Sequence, residues 1–263
     1  MNKSLIVVLS FAVMTLSCTT SPTGKSQLQL VSESRMAQMG ADAYEQLKEE
    51  TPVTKDQQVT EYVNCVASAI TAELEGDTTW EVSLFDDDKQ VNAFALPGGK
   101  IGVYTGLLGV ADNQDQLASV IGHEVGHVLA RHGSARYSAN LASQVGLLLG
   151  AVAIGESGSD NTGLAVAALG LGVQFGILLP YGRSHESEAD GIGLDLMARA
   201  GFDPRGSVAL WQNMSAEGGS QPPEFLSTHP SHETRIDDLN AGMDKALQTY
   251  EQAQAQGKKP QCG

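Results

Sequence analysis

The chain has 263 residues, 41% of them apolar, and its 31 acidic against 16 basic side chains give a net charge of −15. That acidity argues against nucleic acid or anionic lipid headgroups as partners. The length suffices for one well-filled core, with helical additions, and no internal repeat is visible.

In chain order, Lys3, an apolar run from Leu5 to Leu16 and then Ser17-Cys18 come first. The run is too short for a spanning helix and reads as a secretory signal over residues 1–17. Ser17-Cys18 resembles a lipoprotein cleavage site, although Thr15 stands where leucine is usual. The resemblance implies acylation of Cys18, a lipidated N-terminus and polar tether over residues 18–30, and, with Thr19 in place of aspartate, sorting to the outer membrane. Buried acyl carbons would anchor a soluble domain at about 0.8 kcal/mol each. Without Lys3 the mature chain keeps 15 basic and 31 acidic residues, net −16.

Residues 31–255 read as one domain. Val31–Glu50 and Gln57–Glu75 read as helices split by Thr51-Pro52. Thr79–Phe85 alternates as a strand does, and Val91–Tyr104 reads as two short strands joined by Pro97-Gly98-Gly99. A short helix is expected near Leu107–Ala111. From Asp112 to Arg131, Leu117, Val120, Ile121, Val125, Val128 and Leu129 recur mostly at spacings of three and four, with Asp112 or Asn113 as N-cap. Leu141–Ile154 and Thr162–Leu179 are apolar and uncharged, each short of the roughly 20 residues that span a bilayer, with polar Glu156–Asn161 between them. They read as a buried helical hairpin or as a membrane-facing or substrate-gating surface. Further helices are expected through Ala200, from Phe202-Asp203-Pro204 through Trp211, and over Ser231–Ala255. Glu217–Pro223 is a loop and 256–263 a tail. The class is α+β, mostly α, with a small antiparallel sheet.

His123-Glu124-Val125-Gly126-His127 carries the chemistry. Residues four apart on a helix lie about 40° apart around its axis, so both imidazoles share a face and can reach one Zn²⁺. Glu124 adjoins the first ligand without being one. Gly126 costs about 1 kcal/mol against alanine inside a helix, which points to close approach of another backbone or of the metal site. His132, five residues after His127, lies about 140° away on the helical wheel and should not ligate. Ala130 and Gly133 exclude the longer metzincin motif.

Three protein ligands and an open position are needed for a catalytic zinc. Glu186 and Asp190, four apart in Arg183-Ser184-His185-Glu186-Ser187-Glu188-Ala189-Asp190, can present one carboxylate to the metal and the other to a ligand histidine's free N–H. Glu188, about 200° from Glu186, faces the other way. The plain alternative is an acidic helix start favoured by the macrodipole.

Together with Thr228-His229-Pro230-Ser231-His232-Glu233-Thr234-Arg235-Ile236, these motifs resemble the HtpX-type and CAAX-prenyl-endopeptidase-type zinc metallopeptidases. Within them the chain is most similar to the periplasmic lipoprotein branch typified by LoiP and BepA, from about Ser32 to Leu247. The resemblance implies a zincin-like fold, one Zn²⁺ held by His123, His127 and Glu186, Glu124 as general base, and Asp190 behind a ligand. It implies that Asn92 and Ala93, on an edge strand above the metal, bind substrate backbone; an ordinary hairpin is the other reading. His229 would occupy the open zinc position, polarise the scissile carbonyl, or simply cap structure. Arg235 would stabilise the oxyanion or form a core salt bridge.

The implied function is a zinc endopeptidase at the periplasmic side of the outer membrane, lipid-anchored, acting on misfolded or stalled envelope proteins, with the outer-membrane assembly machinery as a possible partner. The rival is a periplasmic chaperone or assembly factor that rarely cuts. A lipidated Cys18 leaves Cys65 and Cys262, an even number in an oxidising compartment, as a disulfide or as two free thiols.

Overall fold

The computed structural model describes residues 18–156, 162–173, 178–217, 224–229 and 235–263. The expected signal segment 1–17, the polar stretch 157–161, most of the 217–223 loop and residues 230–234 of the His-Pro segment lie outside the described residues.

Where the sequence suggests only a polar tether, β1 (Cys18–Thr20) and β2 (Ser26–Leu28) form an antiparallel hairpin. It is held from a distance: Gln27 Nε2 donates to Ala130 O at 2.7 Å, and the hydroxyls of Ser21 and Thr23 donate to Glu188. Helix α1 (Glu33–Glu50) starts at Ser32, whose side chain accepts from Arg35 N. Helix α2 (Gln57–Thr71) starts at Asp56, which accepts from Val59 N, and buries Val63, Val66, Ala67 and Ile70 on one stripe.

A three-stranded sheet follows, in the order β3 (Glu81–Phe85), β5 (Lys100–Tyr104), β4 (Ala93–Leu96). The β4–β5 hairpin is antiparallel, pairing Leu96 with Lys100 across a three-residue loop. Gly98 and Gly99 supply that loop's positive φ values of 90° and 78°. Strand β3 joins β5 in parallel, a pairing that alternation does not predict.

After a 3₁₀ turn over Thr105–Gly109 comes α3 (Gln114–Leu129), capped by Asn113, whose side chain accepts from Asp115 N and Gln116 N. Every residue from Gln116 to His127 is buried, since α2, β4 and the later helices surround this helix. It ends at Ala130, and Arg131 adopts φ 57° to turn the chain. Helix α4 (His132–Glu156) starts at once and is 25 residues long, longer than the expected apolar segment, because His132, Ser134, Ala135 and Ser138 supply a buried face for its first turns. Further along, Leu148 and Leu149 are 66% and 65% exposed, so the buried-hairpin expectation fails there. Within the described residues α4 is one helix long and apolar enough to cross a membrane. Helix α5 (Thr162–Val173) packs on α4.

Helix α6 (Leu179–Arg199) forms the most extensive contact of α3. A Cβ at Gly193 would stand 2.7 Å from His123 N, and one at Gly126 would stand 3.0 Å from Ala189 O. Glycine at this crossing lets the two backbones nearly touch. Helices α7 (Arg205–Glu217), α8 (Glu224–Thr228) and α9 (Arg235–Ala255) complete the fold. The tail folds back so that Cys262 is bonded to Cys65, Cα to Cα 5.5 Å, and Gln114 pairs with Pro260 O and Cys262 N.

Candidate metal centre

Helix α3 presents His123 and His127, α6 presents Glu186, and the end of α8 presents His229; one ligating atom from each lies within 4.8 Å of the other three. The Nε2 atoms of His123 and His127 are 3.1 Å apart and lie 3.2 and 3.5 Å from the two oxygens of Glu186. His229 Nδ1 stands 3.3 Å from His123 Nε2 and 3.1 Å from Glu186 Oε2.

These positions suit a cation. Lone-pair nitrogens and a buried carboxylate converge on one point, and Glu186 Oε1 has no hydrogen-bond partner among the described residues. A set of imidazoles plus one carboxylate is a zinc-type donor set. Burial and Arg235 depress the His123 pKa, but the carboxylates of Asp190 and Glu186 outweigh them and raise it to about 9. Burial holds His127 well below the usual imidazole range. Burial pushes the Glu186 carboxyl up, but the neighbouring imidazoles of His123, His127 and His229 outweigh it and hold the carboxyl well below its usual range.

Asp190 Oδ1 accepts from His123 Nδ1 at 2.8 Å, with its pKa lowered because His123 and Arg235 outweigh burial. Arg235 is 2% exposed, donates to Asp190 at 2.6 Å, and lies 3.7 Å over the Trp211 ring. Its other terminal nitrogen donates to His229 O at 3.4 Å and lies 3.7 Å from Glu186 Oε2, and its Nε has no hydrogen-bond partner among the described residues, so the guanidinium both pairs with Asp190 and borders the ligand cluster. Glu124 is 3% exposed; its Oε1 lies 3.4 Å from His229 Nε2 and makes no hydrogen bond among the described residues.

Asn92 and Ala93 stand at the start of outer strand β4, and both side chains are buried. Ala93 is 1% exposed, and the Asn92 side chain accepts from its N–H at 2.9 Å. Phe225 N, from α8, donates to Val91 O just before the strand. The farther end of β4 is more open: Leu96, with Met36, Ala37, Trp80, Pro97 and His127, lines a cavity of about 520 Å³. Cys18 is exposed with a free thiol.

Two residues that sequence reasoning set aside adjoin the site. His132 Nδ1 lies 2.8 Å from His127 Nδ1, and His132 Nε2 lies 3.2 Å from Glu188 Oε2. The break at Arg131 removes His132 from the α3 wheel, so its angular offset does not apply. A third acidic residue between Glu186 and Asp190 was the available signal for Glu188.

Residues 54–242 match the family model described as peptidase family M48. The chain is 36% identical to the mitochondrial metalloendopeptidase OMA1 of Schizosaccharomyces pombe, over 81% of this chain and 62% of that protein. It is 39% identical to the mitochondrial metalloendopeptidase OMA1 of Arabidopsis thaliana, over 86% of this chain and 45% of the relative. Similarity to the beta-barrel assembly-enhancing protease of Escherichia coli is 31%, over 82% of this chain and 45% of that protein. The chain thus spans roughly half the length of these relatives.

Proposed function

This chain belongs to peptidase family M48, and from that premise we propose that it is a zinc-dependent endopeptidase. The observation that carries the reading is the convergence of His123, His127 and Glu186 beside a buried Glu124 with no hydrogen-bond partner for its Oε1 among the described residues. His123, His127 and Glu186 would hold the metal. When bound, zinc supplies Lewis-acid polarisation and brings the pKa of water down to about 7.

The remaining work falls to the chain's own residues. Glu124 takes the proton from the attacking water and returns it to the leaving amine. Asp190 accepts from His123 Nδ1 and fixes its tautomer, while Arg235 holds Asp190 in place. The accessible end of β4 and the cavity beside His127 are where an extended, unfolded segment would lie. Asn92 and Ala93, where Phe225 of α8 bonds the preceding Val91, are the candidates for contacting substrate main chain at the strand start.

His229 acts as a resting-state occupant of the position that substrate needs. Its Nδ1 stands inside the ligand cluster, and α8 reaches the entry of β4 through Phe225. His229→Ala should therefore raise peptidase activity. A fall of about 10²–10³ in kcat with unchanged metal content would instead make it an oxyanion stabiliser.

Residues 1–18 and the similarity to a bacterial beta-barrel assembly-enhancing protease support the bacterial envelope as the setting, with Cys18 lipidated at the outer membrane. The substrates are then misfolded or stalled envelope proteins, and outer-membrane assembly factors are candidate partners. Mitochondrial relatives are 36–39% identical, so lipid attachment is the test of this setting. Labelled fatty acid should enter the wild-type chain in a bacterial host and not Cys18→Ser. Activity is tested by digestion of an unfolded model protein: cleavage should stop with a chelator and return with Zn²⁺. Cleavage indifferent to chelation would overturn the reading.

A further inference from the structure

His127 turns Nε2 toward the ligand cluster, so its Nδ1 carries the proton and needs an acceptor. That acceptor is His132 Nδ1, at 2.8 Å. For His132 Nδ1 to accept, its Nε2 must hold the hydrogen, and Nε2 faces Glu188 Oε2 at 3.2 Å. Glu188 also accepts from Ser21 and Thr23 of the β1–β2 hairpin, with Lys25 Nζ at 3.7 Å. The polarity of every bond in this chain agrees with the next. Both intermediaries are shut away from water: His132 is 1% exposed and the Glu188 side chain 0%. His132 is also locked in rotation by stacking on His185, with ring centroids 4.0 Å apart.

We propose that His132 and Glu188 are positioning residues for His127, and that the N-terminal hairpin completes the arrangement. The two ligand histidines are then treated alike. His123 has a carboxylate, Asp190, directly on its remote nitrogen; His127 has its carboxylate, Glu188, one imidazole further away. The same arrangement accounts for two otherwise odd features: a buried acid on the face of α6 away from Glu186, and a left-handed Arg131 that swings His132 back beneath His127. It also makes the segment just after Cys18 part of the metal site's support. The inference rests on the reading of His127 as a ligand.

The test is the zinc affinity of the purified chain, by competition with a chromophoric chelator, beside thermal unfolding of the metal-free proteins. Loss of a partner behind a ligand weakens metal binding about 10–100-fold. His132→Phe and Glu188→Gln should each show a loss in that range. His132→Gln should restore most of it, because its amide oxygen accepts from His127 while its NH₂ donates to Glu188. The double variant Ser21→Ala, Thr23→Val should show a smaller loss of the same sign.

Wild-type affinity in His132→Phe overturns the proposal. So does an equal loss in His132→Phe and His132→Gln, which would mark packing rather than hydrogen bonding. If His132→Phe does not fold, Glu188→Gln against His132→Gln decides: the proposal requires the first to bind more weakly. His127→Ala retaining wild-type affinity would instead overturn the ligand assignment beneath it.

Discussion

The α3–α6 pair and the α4–α5 pair both carry glycines, yet those at the α3–α6 crossing stand in surroundings opposite to those of α4–α5. At the α3–α6 crossing, added Cβ atoms at Gly122, Gly126 and Gly193 would meet backbone at 2.9, 3.0 and 2.7 Å. Among the described residues nothing lies within 4 Å of a Cβ at Gly146, Gly155, Gly163 or Gly170, and one at Gly150 meets only the Leu169 side chain. The first pair uses glycine to bring backbones together, and that contact sets Glu186 opposite His123 and His127. The second pair carries its apolar residues outward, with Val145, Leu148, Leu149 and Val152 all more than half exposed. Glycine content alone therefore says little about helix packing; what matters is whether a backbone stands where the Cβ would be.

The sharpest way to break this comparison is Gly193→Val. Overpacking against fixed backbone destabilises by about 1–3 kcal/mol or more, and here the contact carries a ligand, so urea unfolding should shift by the upper part of that range and zinc affinity should fall. An unchanged midpoint would mean that the crossing is not close-packed. Gly146→Ala should do the reverse on a smaller scale, stabilising by about 0.5–1 kcal/mol through helix propensity in open space. Smallest is Leu149→Lys, expected within about 0.5 kcal/mol of wild type because the side chain is already in solvent. A large destabilisation by Leu149→Lys would show that something covers α4.

Much of the candidate site was legible in the sequence because its spacing is local. His123 and His127, like Glu186 and Asp190, share a helix face, and each pair needs only the 3.6-residue period to be recognised. Helices α1 and α2 were legible from the Thr51-Pro52 break between them, and α3 from its apolar period and the Asn113 cap. What was hidden depends on long-range partners. The β1–β2 hairpin has no apolar alternation and is held by Gln27 on Ala130 and by Glu188 on Ser21 and Thr23. His132 was placed by extending a helix that in fact breaks at Arg131. The exposure of α4 could not be read from composition, since the same residues describe a core helix. Ala93 begins β4 and Asn92 directly precedes it, and the bond from the N–H of Ala93 to the Asn92 side chain is a contact that no periodicity announces.

The central claim is that Glu124 moves the proton while His123, His127 and Glu186 hold the metal. Zinc content and proteolysis measured together on Glu124→Gln test it most directly. The account predicts about one zinc per chain, as in wild type, with cleavage reduced by at least about 10²–10⁴-fold. Loss of zinc from Glu124→Gln, or near-normal cleavage with zinc retained, would contradict it.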